Sequence, residues 1–321
     1  MGNGDQRRGF TSAHVAQVKS IAILGPGAIG GCLAAILTRT GHNVTCIARE
    51  GVEFKNGIHL ESAVFGNFRV FPRIVYRLDT EPDFILVTVK APFLRESLRA
   101  IPKEQVKRAV MIPLLNGLGH AEVLRGDFGP RIAVGTIGRM EAQLEVPGQV
   151  KHLSPYPPHV EFASDKDIPR AALHEISAVL SGAGTSTAVL EREAEVIWRK
   201  LVRLNAIASV TAASQKPVGF VRNDPEWRKK LFGCVCEGAE IARREGAEID
   251  PQEVMREIDA LPAELTTSLQ RDIAQGRPSE LEAITGAVMR QAEKYHISCP
   301  FIRGVYEGIK TKYSQLVFSS I

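Results

Sequence analysis

Short apolar runs separated by amphipathic stretches organise the first part of the chain. Ile21-Ala22-Ile23-Leu24 is bounded by polar residues and reads as a buried parallel strand. The compact segment Ile29 to Thr40 is rich in Ala, Leu and Gly and reads as a helix closed by Gly41. Asn43–Arg49 (NVTCIAR) is the next strand. Asp83–Lys90 (DFILVTVK) and Ala109–Leu115 (AVMIPLL) continue the series, with Pro92 opening a helix between them. Strands alternating with helices predict a parallel sheet. Residues 51–76 interrupt that alternation. There Ile58–Leu60 and Phe68–Val70 are short β patterns among glycines, expected outside the main sheet.

The pattern then shortens. Ile132–Thr136, Met140–Val146, Val150–Leu153, Val160–Ala163 and Ser186–Leu190 read as strands, and Arg170–Leu180 as a helix. Pro147-Gly148 reads as a hairpin turn. From Glu191 on, strand spacing gives way to helical spacing over Glu193–Ser214, Glu226–Glu245, Pro251–Ala260, Ser279–His296 and Phe301–Leu316. The predicted organisation is an arm without order over 1–18, an α/β domain over 19–190 and an all-α domain over 191–321. A length of 321 residues at ~150 per domain agrees with two domains.

Composition narrows the function classes. The chain is 44% hydrophobic and 24% charged, as in ordinary globular proteins. A net charge of +4, with its Lys and Arg scattered, gives no nucleic-acid footprint. No apolar run reaches the ~18 residues of a membrane span. Arg7-Arg8-Gly9-Phe10 has the look of a twin-arginine signal, but no apolar region or cleavage site follows it, so export is rejected. Cys32, Cys46, Cys234, Cys236 and Cys299 have no metal-ligand spacing. They read as reduced thiols of a cytoplasmic protein.

Chemistry enters with Gly25, Gly27 and Gly30, spaced G-x-G-x-x-G between the first strand and the first helix. Gly25 allows the tight turn, Gly27 lets backbone N–H groups approach a pyrophosphate, and Gly30 lets helix and strand pack closely. The N-terminus of a helix adds partial positive charge, so Ala28 and Ile29 join the candidate cofactor contacts. The second strand ends in Arg49, where an acidic residue would favour NAD and an arginine accommodates the 2′-phosphate of NADP. Glu50 stands one place too late, so NADP(H) is the expected cofactor. Lys90 and Asn116 close later strands at their carboxyl ends and face the same crevice. Lys90 could reach cofactor phosphates or the substrate, and Asn116 a nicotinamide carboxamide or a substrate oxygen.

On a helix over Glu193–Ser214, Lys200 shares a face with Val196, Ile197, Leu204, Ile207 and Thr211, while Trp198 and Asn205 lie near the opposite face. A structural lysine avoids an apolar stripe or snorkels from its edge. Burial lowers a lysine's pKa towards neutrality and makes it a useful proton donor and acceptor. In Thr266–Ile284, Ser268 could bond a carboxylate or hydroxyl. Glu280 and Glu282 follow Pro278 as candidate carboxylate partners of the lysine, or as ordinary first-turn glutamates.

At these residues the chain resembles the ketopantoate reductase (2-dehydropantoate 2-reductase, PanE/ApbA) family, from about Lys19 to the C-terminus. The resemblance is carried by GPGAIGG, Arg49, Val87-Thr88-Val89-Lys90, Asn116-Gly117, and Pro147-Gly148-Gln149-Val150 with His152. It continues in IWRKL at Ile197–Leu201 and in TSLQRDIAQGRPSELEAI. It implies a Rossmann domain followed by an all-helical domain, of the 6-phosphogluconate-dehydrogenase-like kind, with the site in the cleft between them. It further implies NADPH-dependent reduction of a small 2-oxo acid. Lys200 would be the general acid, Glu280 would bond the substrate hydroxyl and Ser268 would take the substrate carboxylate. Asn116 would serve cofactor and substrate, and Lys90 the cofactor. One departure stands out. Family members carry asparagines four and eight positions after the lysine, where this chain has Leu204 and Ala208. That points to a different 2-oxo acid, or to a bulkier, more apolar carbonyl compound. A homodimer is compatible with this reading. The rivals are another 2-oxo acid or imine reductase of the 6-phosphogluconate-dehydrogenase-like group, and an NADP-binding sensor without catalysis.

Overall fold

A computed structural model describes residues 17–166 and 168–313. The expected N-terminal arm therefore lies almost wholly outside the described residues. Strands β1 (Ser20–Leu24), β2 (Asn43–Ile47), β5 (Arg73–Val75), β6 (Phe84–Val87) and β7 (Val110–Pro113) form one parallel sheet in the order β5-β2-β1-β6-β7. β1 is buried on both faces, as its unbroken apolar run requires. Ile21 and Ile23 enter one core and Ala22 and Leu24 another.

Helix α1 (Ala28–Arg39) connects β1 to β2, and Gly30 to Leu37 are all buried. It is apolar all round because it is covered on both sides. Beneath it lies the parallel sheet. Above it lies a second sheet, β4-β3-β10-β9, built from β3 (Ile58–Ser62), β4 (Phe68–Val70), β9 (Ala142–Val146) and β10 (Gln149–His152). The excursion at 51–76 is thus the first half of this sheet, whose other half arrives with β9 and β10. Pro147-Gly148 makes the expected hairpin, with Gly148 at φ 82°. A third sheet of β8 (Val134–Gly138), β11 (His159–Ala163) and β12 (Ser186–Val189) completes the α/β part, with α4 (Arg170–Gly182) packed on β12. Pro92 opens a 3-10 turn and the single turn α2 (Leu94–Ser97), shorter than the helix expected there. α3 (His120–Phe128) follows β7.

The helical part begins with α5 (Glu193–Ser214), whose bounds match those read from the sequence. α6 (Val218–Asn223), α7 (Pro225–Arg244), α8 (Pro251–Asp259), α9 (Ser268–Ala274), α10 (Ala287–Lys294) and α11 (Pro300–Lys312) surround it. Asp224 and Asp250 cap α7 and α8 ahead of prolines, accepting from Trp227 N at 3.0 Å and Gln252 N at 2.9 Å. α6 and α9 lacked a sequence signal because each is under two full turns. The helix expected from Ser279 starts at Leu281, and its first turn, Glu282–Gly286, is π-helical.

The picture of α5 as a helix with one apolar stripe needs correction. α7, α9, α11 and β8 all pack on it, so Trp198 and Asn205 on the far face are also buried. The Asn205 amide finds no hydrogen-bond partner among the described residues. All five cysteines are free. Burial pushes the Cys32 and Cys46 thiols up to about 12. Among the described residues no helix is long and apolar enough to cross a membrane.

Candidate active site

The order β2-β1-β6 reverses direction at β1, and the crevice outside the carboxyl ends of β1 and β6 is where such sheets take ligands. Gly25 makes the turn there at φ 86°, against Val89 beyond β6. A methyl group on Gly30 would overlap Gly25 O and Thr88 Oγ1. One on Gly27 would meet nothing nearer than Gly25 O at 4.0 Å, so the space over the start of α1 is open. Gly27 has no side chain to cap that twelve-residue helix, which leaves the first-turn N–H groups to an outside acceptor. These features fit the pyrophosphate of a dinucleotide held by Gly27, Ala28, Ile29 and Gly30. Gly30→Ala should weaken dinucleotide binding by about tenfold or more, since overpacking there displaces the turn itself. Unchanged affinity in a fluorescence titration would refute this account of the turn.

Arg49 lies two residues past β2, exposed and without a side-chain partner among the described residues. Lys90, just beyond β6, is exposed, and its amine bonds Asp272 Oδ2 at 2.7 Å. Asn116 sits in the loop after β7.

Three of the candidates are joined in one hydrogen-bonded chain. Lys200 Nζ donates to Asn116 Oδ1 at 2.7 Å and to the Ile137 carbonyl of β8 at 2.8 Å. Asn116 Nδ2 donates to Glu280 Oε2 at 3.0 Å. Glu280 Oε1 accepts from Ala91 N at 3.3 Å. Glu280 is 8% exposed and precedes the π turn. The Lys200 pKa is lowered to about 8, chiefly by burial. Arg203 pushes it the same way, while Glu280 and Glu161 pull it back up. An ammonium has three N–H donors. Two are committed here, and one remains for a ligand.

The arrangement differs from the sequence reading in several respects. Both ends of the Asn116 amide are engaged by protein groups, so the residue bridges lysine and glutamate. Of the two glutamates left open after Pro278, Glu280 faces the lysine network. Glu282 turns outward to Tyr306 and Arg290. Ser268, the exposed first residue of α9, has no side-chain hydrogen bond among the described residues and is not joined to Lys200. Its neighbour Thr267 does reach α5, through Thr211 Oγ1 at 2.9 Å. Thr211 is eleven residues along α5 from Lys200, about 16 Å up the helix. Leu204 is partly exposed one turn from Lys200, whereas Ala208 is 1% exposed and belongs to the helical core.

Other participants carried no signal of their own. Ile137 contributes only its carbonyl. His120 donates from Nε2 to Asn116 O at 2.8 Å and steadies the loop; burial lowers its pKa. Gly117, at φ 102°, lies against the Ala283 backbone, and Leu118 N bonds Ala283 O at 3.1 Å.

Comparison with known proteins agrees with this architecture. A 2-dehydropantoate 2-reductase from Vibrio cholerae is 28% identical over 305 residues, 91% of this chain and 97% of the relative. An oxidoreductase of Bacillus subtilis, YkpB, is 24% identical over 297 residues, covering 90% of this chain and 97% of the relative. Among solved structures, D-mandelate dehydrogenase with NADH and anilino(oxo)acetate superposes with a TM-score of 0.82 at 25% identity, over 92% of this chain and 99% of that one. A PanE/ApbA family ketopantoate reductase from Ralstonia eutropha also gives 0.82, at 23% identity over 92% and 99%, and shares the fold. The family model "Ketopantoate reductase PanE/ApbA" matches residues 21–163, and its C-terminal counterpart matches 193–313. The chain, with its α/β Rossmann-type domain and helical C-terminal domain, belongs to the ketopantoate reductase PanE/ApbA family.

Proposed function

We propose that this protein is an NADPH-dependent reductase of a 2-oxo acid, either 2-dehydropantoate (ketopantoate) or a related 2-oxo acid with a more apolar side chain. The observation that carries the reading is the Lys200 amine. It is half-buried where α5 meets β8 and the loop after β7, with its pKa lowered to about 8 by burial and one N–H uncommitted. A bound nicotinamide supplies the hydride. Lys200 gives its proton to the ketone oxygen, where negative charge develops. Asn116 and the Ile137 carbonyl aim the amine, and Glu280 holds Asn116 and offers its carboxylate to a substrate hydroxyl. Ser268 takes the substrate carboxylate. In this reading residues 19–190 hold the dinucleotide, with Lys90 and Asn116 among its contacts, and residues 191–321 supply the acid and the substrate wall. Leu204, one turn from the amine, gives that wall an apolar patch. The fold neighbour D-mandelate dehydrogenase, bound to NADH and an oxo acid, supports the substrate class.

The reading also places the chain in the cytoplasm, where its five thiols stay reduced, and a homodimer is compatible with it. The deciding experiment measures NADPH and NADH oxidation with a panel of 2-oxo acids. Tight NADPH binding with no turnover on any of them would instead favour the sensor reading. Arg49 explains the choice of NADP. Arg49→Ala should raise the KM for NADPH about tenfold or more and leave that for NADH nearly unchanged, since the 2′-phosphate loses a charge-assisted contact. Equal effects on both cofactors would remove the basis for NADP.

A further inference from the structure

Among the bonds that tie the two parts of the molecule together, beyond those around Lys200, is one made by a buried carboxylate. Asp272 in α9 is 4% exposed. Its Oδ2 accepts from Lys90 Nζ at 2.7 Å. Its Oδ1 accepts from Arg277 Nε at 2.9 Å and Nη2 at 2.8 Å. A buried carboxylate needs a partner, and one cation would satisfy it. Asp272 has two, and both side chains are about half exposed. Asp272 balances only one of the two cations.

The place of this pair is informative. Lys90 closes the segment after β6, at the reversal of strand order. In that segment Thr88 Oγ1 donates to Gly25 O at 2.9 Å, Val89 touches Gly25, and Ala91 N bonds Glu280. The two cations therefore stand between the glycine turn and the lysine network. Lys90 comes from the α/β part and Arg277 from the helical part.

We propose that Asp272 is a positioning residue that mounts Lys90 and Arg277 as a two-cation clamp, and that the clamp grips an anionic group of the ligands. The group is a phosphate of the dinucleotide or the carboxylate of the 2-oxo acid. The proposal rests on the reading of the cleft as a dinucleotide and 2-oxo acid site. Arg277 turns Nε and Nη2 to Asp272 and Nη1 to Gln275 Oε1, so its remaining outward Nη N–H groups face an anion, and Lys90 brings a point charge. An anion bridging both cations joins the two parts of the chain at the cleft.

The test uses the full chain and the variants Arg277→Gln, Asp272→Asn, Lys90→Gln and the double variant Lys90→Gln/Asp272→Asn. NADPH is titrated at several salt concentrations, and the 2-oxo acid is then varied at saturating NADPH. Arg277→Gln is expected to weaken one of the two ligands about tenfold and to flatten its salt dependence. Loss in the NADPH titration identifies a phosphate, and a raised KM for the oxo acid identifies its carboxylate. Asp272→Asn is expected to cost about as much as Lys90→Gln and to add nothing to it in the double variant. A purely structural carboxylate would lower the melting temperature while leaving both constants and the salt dependence in place, and that result overturns the clamp. Should Asp272→Asn fail to fold, Arg277→Gln decides, because it leaves Lys90 on Asp272. A wild-type chain that neither binds NADPH nor reduces any oxo acid overturns the proposed function, and the clamp with it. A wild-type chain that turns over, with variants that match it, overturns the clamp alone.

Discussion

Lys200→Ala should lower kcat/KM for NADPH-driven reduction of the 2-oxo acid by about a thousandfold, the usual worth of a positioned proton donor. Dinucleotide affinity should change little, because Lys200 is on α5 and the glycine turn is at the end of β1. The pH profile separates this from a packing defect. Reduction needs the protonated amine, so the wild-type rate should fall as pH rises through about 8. Oxidation of the hydroxy acid needs the neutral amine, so its rate should rise over the same range. Both limbs should vanish in Lys200→Ala. Lys200→Arg should not rescue the rate, because a guanidinium keeps its proton throughout. A Lys200→Ala chain whose profile still bends near pH 8 would assign the proton to another group.

Gly117→Ala is expected to have the next largest effect. The added carbon would overlap the Ala283 carbonyl oxygen and approach the carbonyl carbon to 2.5 Å. Both are backbone, so no side chain can swing aside. A residue at φ 102° is strained as well. Gly119→Ala provides the comparison. Gly119 has φ 86° but nothing within 4 Å of an added carbon, so only the backbone strain of roughly 1–2 kcal/mol applies. Gly117→Ala should cost roughly another 1–3 kcal/mol from the overlap. It should also lower kcat about a hundredfold, since Asn116 moves with Gly117 and misplacement by an ångström is costly. Thermal unfolding and kcat for the two variants decide the matter. Equal values in both would mean that the contact with Ala283 does not place Asn116.

Much of this arrangement was legible locally. The run Ile21–Leu24, the three glycines and the helical spacing around Lys200 each describe a few adjacent residues, and local physics decides their form. Asn116 and Lys90 were found because the ends of parallel strands share a crevice. What stayed hidden depends on residues distant in the chain. Asp272 looks like any helix aspartate until Lys90, 182 positions earlier, is seen beside it. Ile137 contributes a backbone atom that no residue type marks. Helical spacing turns Asn205 away from the lysine, but it does not say how many neighbours a helix has. The π turn at Glu282–Gly286 places Ala283 O against Leu118 N, and nothing in Glu-Ala-Ile-Thr-Gly announces it.

The second sheet carries a consequence for how the molecule folds. β10 pairs in parallel with β3, His152 opposite Ser62, and Val150 packs against the start of α1 so closely that a methyl on Gly31 would sit 2.8 Å from Val150 Cγ2. Half of the sheet that covers the outer surface of α1, strands β9 and β10, therefore lies more than a hundred residues downstream of it. Closing so long a loop must precede any reward from the contact. During synthesis the glycine turn and its helix leave the ribosome well before the strand that covers them. The βαβ unit should consequently consolidate late, together with β9 and β10, and not serve as an early independent nucleus. Substitutions at Val150 or Leu60 should then slow folding as well as lower stability.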